Sequence, residues 1–407
     1  MRIGYYAHHH GSGHCRQADK LAALMPISLR NTFIVFTSLA ADAYTFTTIK
    51  NDQIIRLNAE DEREDDILAG RAGKYWQPAS LHYSPIGNHD IQTRSLQLIN
   101  GIQQHSIDLM IIDVSVEVAM LCRAASVPYL YVRLAGIRDD DPHLNAFAGA
   151  LGLLAPYPKA LEASETDDWF QQKTLYLDFL PEKSAKSISY DAFIVSLADL
   201  IKDDNNGSNP ATKFNLTDKA EQNPKIITVI KGYGGHEAID AKLPKLREMH
   251  PDALIISLGP IADNKRSYVD IAAQVTDVSP FLMHSDLLIM ACGLNAIAQA
   301  YHHKTPLVVL PDERPHREQE VMAEALIAQG RAMSWQQFVD VSKNPPSLGS
   351  LLTSSAKPDS NRVSNNTVDK TNTKTAAQAL MDSFIEYPAT KPWFQDWLLP
   401  KLDMTPK

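Results

Sequence analysis

The first stretch of the sequence that could do chemistry is a turn rich in histidine and glycine at positions 8–14, His-His-His-Gly-Ser-Gly-His. An apolar run typical of a β-strand precedes it, and a helical pattern follows. Gly11 and Gly13 allow the backbone to turn tightly near a ligand, and a helix start favours negative charge. Because a helix start also disfavours an imidazolium, His14 is a candidate general base. The alternative for His14 is a structural role at the helix start, and His8 to His10 are expected to be loop or cleft-lining groups.

Two other interpretations of this turn fit the sequence less well. A dinucleotide-binding fingerprint needs a third glycine, but Cys15 and Arg16 follow His14, and the second predicted strand ends in Thr37-Ser38 without an acidic residue. For zinc, consecutive side chains at a strand end point in alternating directions, and no distant cysteine or glutamate pattern completes a ligand set. We therefore expect no NAD, no metal and no cofactor.

A candidate partner for the histidine lies at the end of another predicted strand, Ile107–Asp113. Open α/β sheets bind ligands at the carboxyl ends of their strands, so Asp113 could orient and charge-stabilise a histidine there. Glu117 lies four residues later, and one helical turn would bring both carboxylates to the same cleft. The alternative is that this segment caps the helix that follows.

Two polar segments are candidate acceptor loops. Ile137–His143 follows the predicted strand Pro128–Arg133 and would place His143 beside an acceptor, and Leu81–Arg94 has a similar composition. Solvated loops without a ligand are an equal alternative for both segments.

The second half of the chain contains another glycine-rich turn, at 232–235, after a predicted strand. Backbone amides in such a turn can cradle a phosphate, with Gly234 and Gly235 at its centre. Further on, Gly293 opens a helix after a strand and offers a second anion-binding helix start. Gln299 could hydrogen-bond hydroxyls or lie on the surface. Polar residues that could bind sugar hydroxyls follow the next predicted strand: Asp312, Glu313, Glu318 and Gln319.

These motifs lie in a chain whose apolar runs alternate with helical periodicity, which is the pattern of βαβ units and parallel sheets. The predicted strands are Arg2–Ala7, Thr32–Ser38, Gln53–Asn58, Ile107–Asp113, Pro128–Arg133 and Leu151–Pro156, then Ile226–Lys231, Ala253–Leu258, Asp286–Ala291 and Pro306–Leu310. We predict an α/β fold with two Rossmann-like, doubly wound parallel-sheet domains that face a cleft. The predicted divisions are 1–182, the N-terminal domain; 183–224, an insertion or linker; 225–341, the C-terminal domain; 342–374, a flexible polar segment; and 375–407, a helical segment.

Composition narrows the class of protein. Lys and Arg number 39 against 48 Asp and Glu, a formal charge of −9 with no basic stripe, so we expect no nucleic-acid partner. The three cysteines offer no disulfide framework, which indicates a reducing compartment. The N-terminus lacks a signal-peptide pattern, and the most apolar stretch, Leu287–Tyr301, is too short for a membrane span. We expect a soluble, cytoplasmic protein without a transmembrane segment, and peripheral contact with a membrane stays open.

The motifs together resemble those of nucleotide-sugar glycosyltransferases with the GT-B fold, in particular family 28, the lipid-linked N-acetylglucosaminyltransferase type, and family 1. One part of the resemblance is Gly-Ser-Gly-His-Cys-Arg at 11–16, between a strand and a helix. The more specific part is the block at 278–330, which contains Val-x-Pro-Phe, Ser-Asp-Leu-Leu-Ile, Gly-x-Asn-x-Ile-x-Gln, Pro-Leu-Val-Val-Leu-Pro and Glu-Gln.

The resemblance implies that the C-terminal domain binds the donor nucleotide sugar. The implied donor residues are Gly234 and Gly235 at the diphosphate, Val278 and Phe281 where the base is read by backbone and packing, Gly293, Leu294 and Asn295 at the glycine-led helix start, Gln299 at the ribose, and Glu318 and Gln319 at the donor sugar. Families of this kind usually carry a glutamate where this chain has Gln299. A glutamine loses the charge-assisted hydrogen bonds of a carboxylate, which leaves the donor's identity open.

The resemblance also implies that the N-terminal domain binds the acceptor. His14 matches the histidine that acts as base with an aspartate partner in family 1, and Asp113 is an approximate counterpart of that aspartate. The residues expected on the acceptor side are His10, Gly11, Gly13, Glu117 and His143.

Three functions follow from these patterns. The leading one is an inverting, metal-independent glycosyltransferase that moves a sugar from a nucleoside-diphosphate sugar, expected to be a UDP-sugar, to a hydroxyl acceptor of unknown type: a glycan, a lipid or a small molecule. The second is a nucleotide-sugar hydrolase in which water is the acceptor, because the glycine–histidine motif is also similar to that of such hydrolases. The third is a sugar-nucleotide-binding protein without catalysis.

Overall fold

The computed structural model describes residues 1–9, 11–60, 62–71, 78–181, 188–203, 224–232, 237–343 and 374–403. The chain divides into two compact units. The first consists of Met1–Lys159, Ser164–Leu180 and Thr371–Lys407, and the second of Ala160–Ala163 and Pro181–Lys370. The C-terminal segment at 375–407, which we predicted to be helical, belongs to the first unit.

The first unit is built on a seven-stranded parallel sheet in the order β3-β2-β1-β4-β5-β6-β7. The strands are β1 (Ile3–Tyr6), β2 (Ile34–Thr37), β3 (Ile54–Arg56), β4 (Leu109–Asp113), β5 (Tyr129–Val132), β6 (Gly152–Ala155) and β7 (Thr174–Tyr176). The helices between them are α1 (Gly13–Leu24), α2 (Ile27–Arg30), α3 (His89–Gln104), α4 (Val116–Ala124), α5 (Asp141–Gly149) and α6 (Asp168–Lys173). Short 3₁₀ turns occupy Asn51–Gln53 and Lys159–Leu161.

The central strands of this sheet are buried on both faces, which explains their continuously apolar sequences. Alternate residues of β1 belong to different cores: Ile3 and Tyr5 pack on the α1 side, whereas Tyr6 packs on the α3 and α4 side. Gly4 allows the close approach of β1 and β4, because a Cβ atom at this position would lie 2.4 Å from the sulfur of Met110.

The second unit is built on a six-stranded parallel sheet in the order β10-β9-β8-β11-β12-β13. The strands are β8 (Ile226–Ile230), β9 (Leu254–Leu258), β10 (Ile271–Ala273), β11 (Leu287–Met290), β12 (Leu307–Val309) and β13 (Met333–Ser334). The helices are α7 (Tyr190–Asp203), α8 (Glu237–Asp240), α9 (Leu243–Met249), α10 (Ser279–His284), α11 (Leu294–Ala300), α12 (Glu318–Ala328) and α13 (Trp335–Lys343), with 3₁₀ turns at Asp263–Tyr268 and Pro315–Arg317.

The C-terminal segment forms helix α14 (Ala376–Glu386) and the helical turns Thr390–Pro392, Trp393–Leu398 (a π-helix) and Leu399–Lys401. Its apolar side chains join the core beside α1, and Trp393 is fully buried there. The indole nitrogen of Trp393 donates a hydrogen bond of 2.8 Å to Ser383 Oγ, which satisfies its polar atom. Among the described helices, none combines the length and the apolar character that crossing a membrane requires.

The predicted architecture, two Rossmann-like domains with parallel sheets, is confirmed. Several local predictions are wrong. Helix α7 lies inside 183–224, which we expected to be a linker, and its Phe193 and Leu197 are buried against the second sheet. Helix α5 begins within the expected loop Ile137–His143, because Asp140 caps it by accepting a hydrogen bond from the His143 N–H. Helix α3 starts within the other expected loop, Leu81–Arg94.

Candidate active site

The candidate catalytic residues meet where the strand order of the first sheet reverses. Strand β1 lies between β2 and β4, so the chain leaves β1 and β4 toward opposite sides of the sheet at their carboxyl ends. Such a switch point opens a crevice between the two following turns, which is where open α/β sheets bind ligands. The turn after β1 carries the glycine–histidine motif, and the turn after β4 starts at Asp113.

The glycine–histidine turn feeds directly into α1. Gly11 has a φ of +77°, in the left-handed region that glycine adopts without strain, and Gly13 is the first residue of the helix. His14 is thus in the first turn of α1, with its side chain 16% exposed. The ring of His8 packs edge-on against that of His14, with centroids 5.7 Å apart. His10 lies outside the described residues.

Asp113 is fully buried and faces His14: the distance from His14 Nδ1 to Asp113 Oδ2 is 3.0 Å. The turn leaves Asp113 available for this contact, because Val114 adopts a left-handed φ of +57° and Ser115 is the residue that caps α4. An ionised Asp113 accepts the proton of Nδ1, and this tautomer leaves the lone pair of His14 on Nε2. The pair therefore has the geometry of a base with its orienting carboxylate.

Tyr5 is a third member of this group that the sequence analysis missed. Its hydroxyl donates a hydrogen bond of 2.8 Å to Asp113 Oδ2, and both side chains are fully buried. Burial, together with the charge of Asp113, raises the pKa of the Tyr5 phenol well above its usual range, so the hydroxyl stays a donor. Among the described residues, none donates a hydrogen bond to the other oxygen, Oδ1. The Tyr5 phenol and the His14 ring thus both contact the one carboxylate oxygen, Oδ2.

Glu117, predicted to share a cleft with Asp113, holds a neighbouring loop. Its Oε1 accepts hydrogen bonds from the backbone N–H groups of His82 and Tyr83, at 2.8 and 2.9 Å. The Ser115 hydroxyl donates to Oε2 at 3.2 Å. Glu117 is therefore a residue that fixes the position of the loop at 81–84.

His143, also expected on the acceptor side, is 2% exposed. Its Nδ1 lies 2.9 Å from both carboxylate oxygens of Asp140, and its Nε2 lies 3.2 Å from Arg138 Nη1. Although desolvation opposes it, the hydrogen bonds from His143 lower the pKa of Asp140 to about 2. This imidazole is committed to an internal network, and its described contacts are with protein groups.

The same network bears on whether a metal fits here. His82 Nε2 also lies 3.0 Å from Asp140 Oδ1, so two imidazoles and one carboxylate converge in the first unit. A guanidinium can only donate, so Nε2 of His143 must accept from Arg138 and Nδ1 must carry the proton that faces Asp140. A metal-bound imidazole needs the reverse arrangement, with its second nitrogen donating. In this arrangement neither ring nitrogen of His143 offers a lone pair to a cation.

The predicted donor residues lie in the second unit, at the carboxyl edge of its sheet. Gly293 caps α11 directly after β11, and Leu294 and Asn295 are half-buried in its first turn. Gln299 donates from Nε2 to the carbonyl of Asn295 in the same helix at 3.2 Å, so its amide is directed along its own helix. Gly234 and Gly235 lie outside the described residues.

The turn after β12 is organised by Gln319. Its Oε1 accepts from the N–H groups of Cys292 and Asp312, at 3.1 and 3.0 Å, and so joins the ends of β11 and β12. The oxygen of Gln319 is thus occupied by the backbone. Glu318 is half-buried at the start of α12, after two residues with left-handed φ values, His316 and Arg317.

Phe281 and Val278 lie at helix α10, where the resemblance implies contact with the base. The ring of Phe281 is 4% exposed and packs edge-on against Phe193 of α7, with centroids 5.3 Å apart. Val278 packs against the same core. Phe281 therefore contributes its side chain to the core, and the backbone is the part of this segment that fits the predicted role.

A buried ion pair that the sequence analysis missed supports the turn after β8. Lys231 Nζ lies 2.7 Å from Asp240 Oδ1, with side chains 0% and 5% exposed, and Asp240 Oδ2 accepts from the N–H of Ala262 at 3.0 Å. Burial lowers the pKa of the Lys231 ammonium, and Asp240 opposes that shift. The pair anchors the chain at the entrance to the glycine-rich turn.

Comparison with solved structures identifies the fold. Over 95% of this chain and 100% of the other, the protein is similar to MurG from Acinetobacter baumannii, with a TM-score of 0.55 and 12% identity. A UDP-glucosyltransferase from Polygonum tinctorium is similar over 95% and 98% of the two chains, with a TM-score of 0.56 and 10% identity. The spinosyn rhamnosyltransferase SpnG in complex with thymidine diphosphate is similar over 87% and 92%, with a TM-score of 0.51 and 14% identity.

These structures are glycosyltransferases of the GT-B fold, and the chain shares that fold. No protein-family model matches the sequence, and no curated protein matches it. At these identities the likeness extends to the fold, as predicted from the motifs, and the chemistry must be argued from the site.

Proposed function

We propose that this protein transfers a glycosyl group from a nucleoside-diphosphate sugar to a hydroxyl acceptor, with inversion and with His14 as general base. The observation that carries the proposal is the pairing of His14 with the fully buried Asp113 at the switch point of the first sheet. A base oriented by a buried carboxylate is the group that nucleophilic attack by a hydroxyl requires.

In the proposed step, the acceptor oxygen attacks the anomeric carbon of the donor while Nε2 of His14 takes the hydroxyl proton. The bond between the anomeric carbon and the diphosphate oxygen breaks, and its electron pair leaves with the nucleoside diphosphate. A single displacement from the opposite face inverts the configuration at that carbon. Asp113 stabilises the imidazolium that forms at His14, and Tyr5 keeps the Asp113 carboxylate in position.

We assign the donor to the second unit, where the strand order reverses between β8 and β11. Strands β8 and β11 are parallel neighbours. In the sequence the glycine-rich segment follows β8, and Gly293 caps the helix after β11. Backbone N–H groups in such turns can stabilise a departing diphosphate without a metal. The anchored Lys231 and the Gln319 amide would hold these two turns in position.

We further propose a UDP-sugar as donor. A UDP-glucosyltransferase and a structure bound to thymidine diphosphate are both among the similar structures, which favours a pyrimidine diphosphate. Thermal-shift measurements against UDP, GDP and dTDP test this assignment. A shift produced by GDP alone would contradict it.

The catalytic assignment is tested with His14→Ala. Donor affinity, followed by calorimetry, should stay close to that of the unaltered protein, whereas turnover should fall by roughly 10²–10⁴-fold. His105→Ala is a matched control, because His105 ends α3 beside the amino edge of the same sheet. If turnover of His14→Ala equals that of the control, His14 is not the base.

The nature of the acceptor is tested by incubating the protein with UDP-sugars and no alcohol. A transferase should release free sugar slowly compared with its rate on an acceptor, because water is held less well than an alcohol that the site binds. If free sugar is released at the full turnover rate, the reaction is hydrolysis and not transfer, and His14 is still the base. Donor binding without any turnover would contradict both reactions.

A further inference from the structure

A cavity of about 360 Å³ lies in the first unit between helices α3 and α4, under the loop at 81–84. Its size falls at the lower end of the range for small-molecule sites. Its lining includes apolar side chains from these three elements: Leu81, Ile91, Leu98, Val118, Leu121 and Ala124. Leu98 and Val118 also belong to the core, so the floor of the cavity is rigid and pre-formed.

The charged groups in the wall are engaged with protein partners. Arg94 forms an ion pair with Glu60 at 2.8 Å and donates to Ser38 Oγ and the carbonyl of Asn58, at 2.8 and 3.1 Å. Glu117 accepts two backbone N–H groups of the loop. The Arg94 and Glu60 charges cancel, so Glu117 leaves the wall with a negative charge. Such a wall favours an uncharged apolar group over a carboxylate.

The cavity is connected to the candidate base by side chains in contact. Arg94 donates a hydrogen bond to the Tyr6 hydroxyl. The Tyr6 ring lies edge-on to that of His8, with ring centroids 6.5 Å apart. The His8 ring in turn packs on His14. On the other wall, Glu117 lies in the first turn of α4, and Asp113 is the last residue of the preceding strand β4. Arg94 and Glu117 in the cavity wall thus lie near the carboxyl ends of β1 and β4, the same edge of the sheet that carries the base.

We infer that this cavity binds an uncharged aryl or branched-alkyl group of the acceptor alcohol. That the bound molecule is the acceptor rests on the proposed function. The chemistry of the group that binds is argued from the cavity alone. A large apolar group seated between α3 and α4 would supply binding energy away from the reacting hydroxyl.

The test uses 2-naphthol, an uncharged bicyclic alcohol, followed by its own fluorescence in the full-length protein without donor. We expect saturable binding, and binding of 2-naphthoate, the anionic analogue, that is weaker by about tenfold or more. Ala124→Trp should fill the cavity and weaken naphthol binding by at least about tenfold. Ala125→Trp is the matched control, because Ala125 is the next residue, is also exposed and does not line the cavity.

The outcomes separate this inference from the proposed function. Failure of the unaltered protein to bind 2-naphthol, or equal binding by Ala124→Trp and Ala125→Trp, overturns the inference whatever the enzyme does. His14→Ala should bind 2-naphthol as the unaltered protein does. With donor present, Ala124→Trp should raise the KM for 2-naphthol, and Ala125→Trp should not. Naphthol binding as expected, with no transfer to any acceptor, overturns the proposed function and leaves the cavity as an apolar binding site.

Discussion

The hydrogen bond from Tyr5 to Asp113 yields the most specific prediction about the candidate site. Tyr5→Phe removes a single O–H donor, 2.8 Å from a carboxylate that is fully buried, and keeps the ring that fills the core. Hydrogen bonds to charged groups contribute about 1.5–3 kcal/mol, and a buried acceptor that loses its donor is costly. We therefore expect the free energy of unfolding to fall by about 1.5–3 kcal/mol.

The same bond should affect turnover. Asp113 is most strongly needed when His14 becomes an imidazolium, so a less firmly held carboxylate stabilises the transition state less. If the whole loss of free energy appears in the transition state, turnover falls by roughly 10- to 100-fold, since about 1.4 kcal/mol corresponds to a factor of ten. Donor affinity by calorimetry should not change, because the donor is assigned to the other unit. The assay is steady-state transfer, with unfolding followed in urea.

Two comparisons separate positioning from general damage. Tyr129→Phe is the matched control: this buried hydroxyl in β5 donates to the carbonyl of Ala146 at 2.7 Å, so its loss should reduce stability and leave turnover unchanged. In an Asp113→Asn background, Tyr5→Phe should have little further effect on turnover, because the two residues act as one unit. Equal losses in both backgrounds, or a folded Tyr5→Phe protein with normal turnover, would refute the reasoning.

Three further predictions concern stability and metal dependence. Asp19→Ala should lower the free energy of unfolding by about 1–3 kcal/mol in urea titrations, because this buried carboxylate accepts the N–H groups of Thr47 and Thr48 at 2.9 and 2.8 Å; an unchanged value would contradict its role as an anchor. Burial lowers the pKa of His250 to about 4, so the unfolded chain binds its proton first and stability should be lost as the pH falls from about 6.5 to 4. His250→Gln should show a smaller difference between unfolding at pH 7 and pH 5, and an unchanged difference would exclude this histidine as the cause. Chelation with EDTA should leave transfer unaffected, because Arg138 fixes His143 in a tautomer that does not present Nδ1 to a cation; loss of activity restored by added metal would contradict this.

The long elements were predictable because each had a strong periodic or continuous apolar signal. The runs that became β1, β4 and β8 were predicted to within two residues at each end. The strands missed were β7, β10 and β13, which have three residues or fewer. β3 and β12 are as short, but each lies within a longer run that the sequence analysis assigned as a strand. Helix α7 was missed because the polar sequence after it led us to treat the whole segment as a linker.

Residue type predicted chemistry less well than it predicted structure. His143 and Gln319 are residues that commonly bind ligands, but the first is hydrogen-bonded to Asp140 and the second to two backbone amides. The Phe281 side chain likewise packs in the core, against Phe193. A buried polar side chain must be satisfied by protein or by ligand, and its position along the chain does not reveal which.

Local signals in the chain specified the turn after β1, because glycine at position 11 and a helix from position 13 depend on neighbouring residues alone. They also identified His14 and Asp113 as candidates one at a time. The contact between His14 and Asp113, and the hydrogen bond from Tyr5, depend on how the strands are arranged in the sheet. Tyr5 pairs with Ile111 across β1 and β4, so Asp113, two residues further on, points to the same face and toward α1. A strand register joins residues 108 positions apart, and no local pattern encodes a contact of that range.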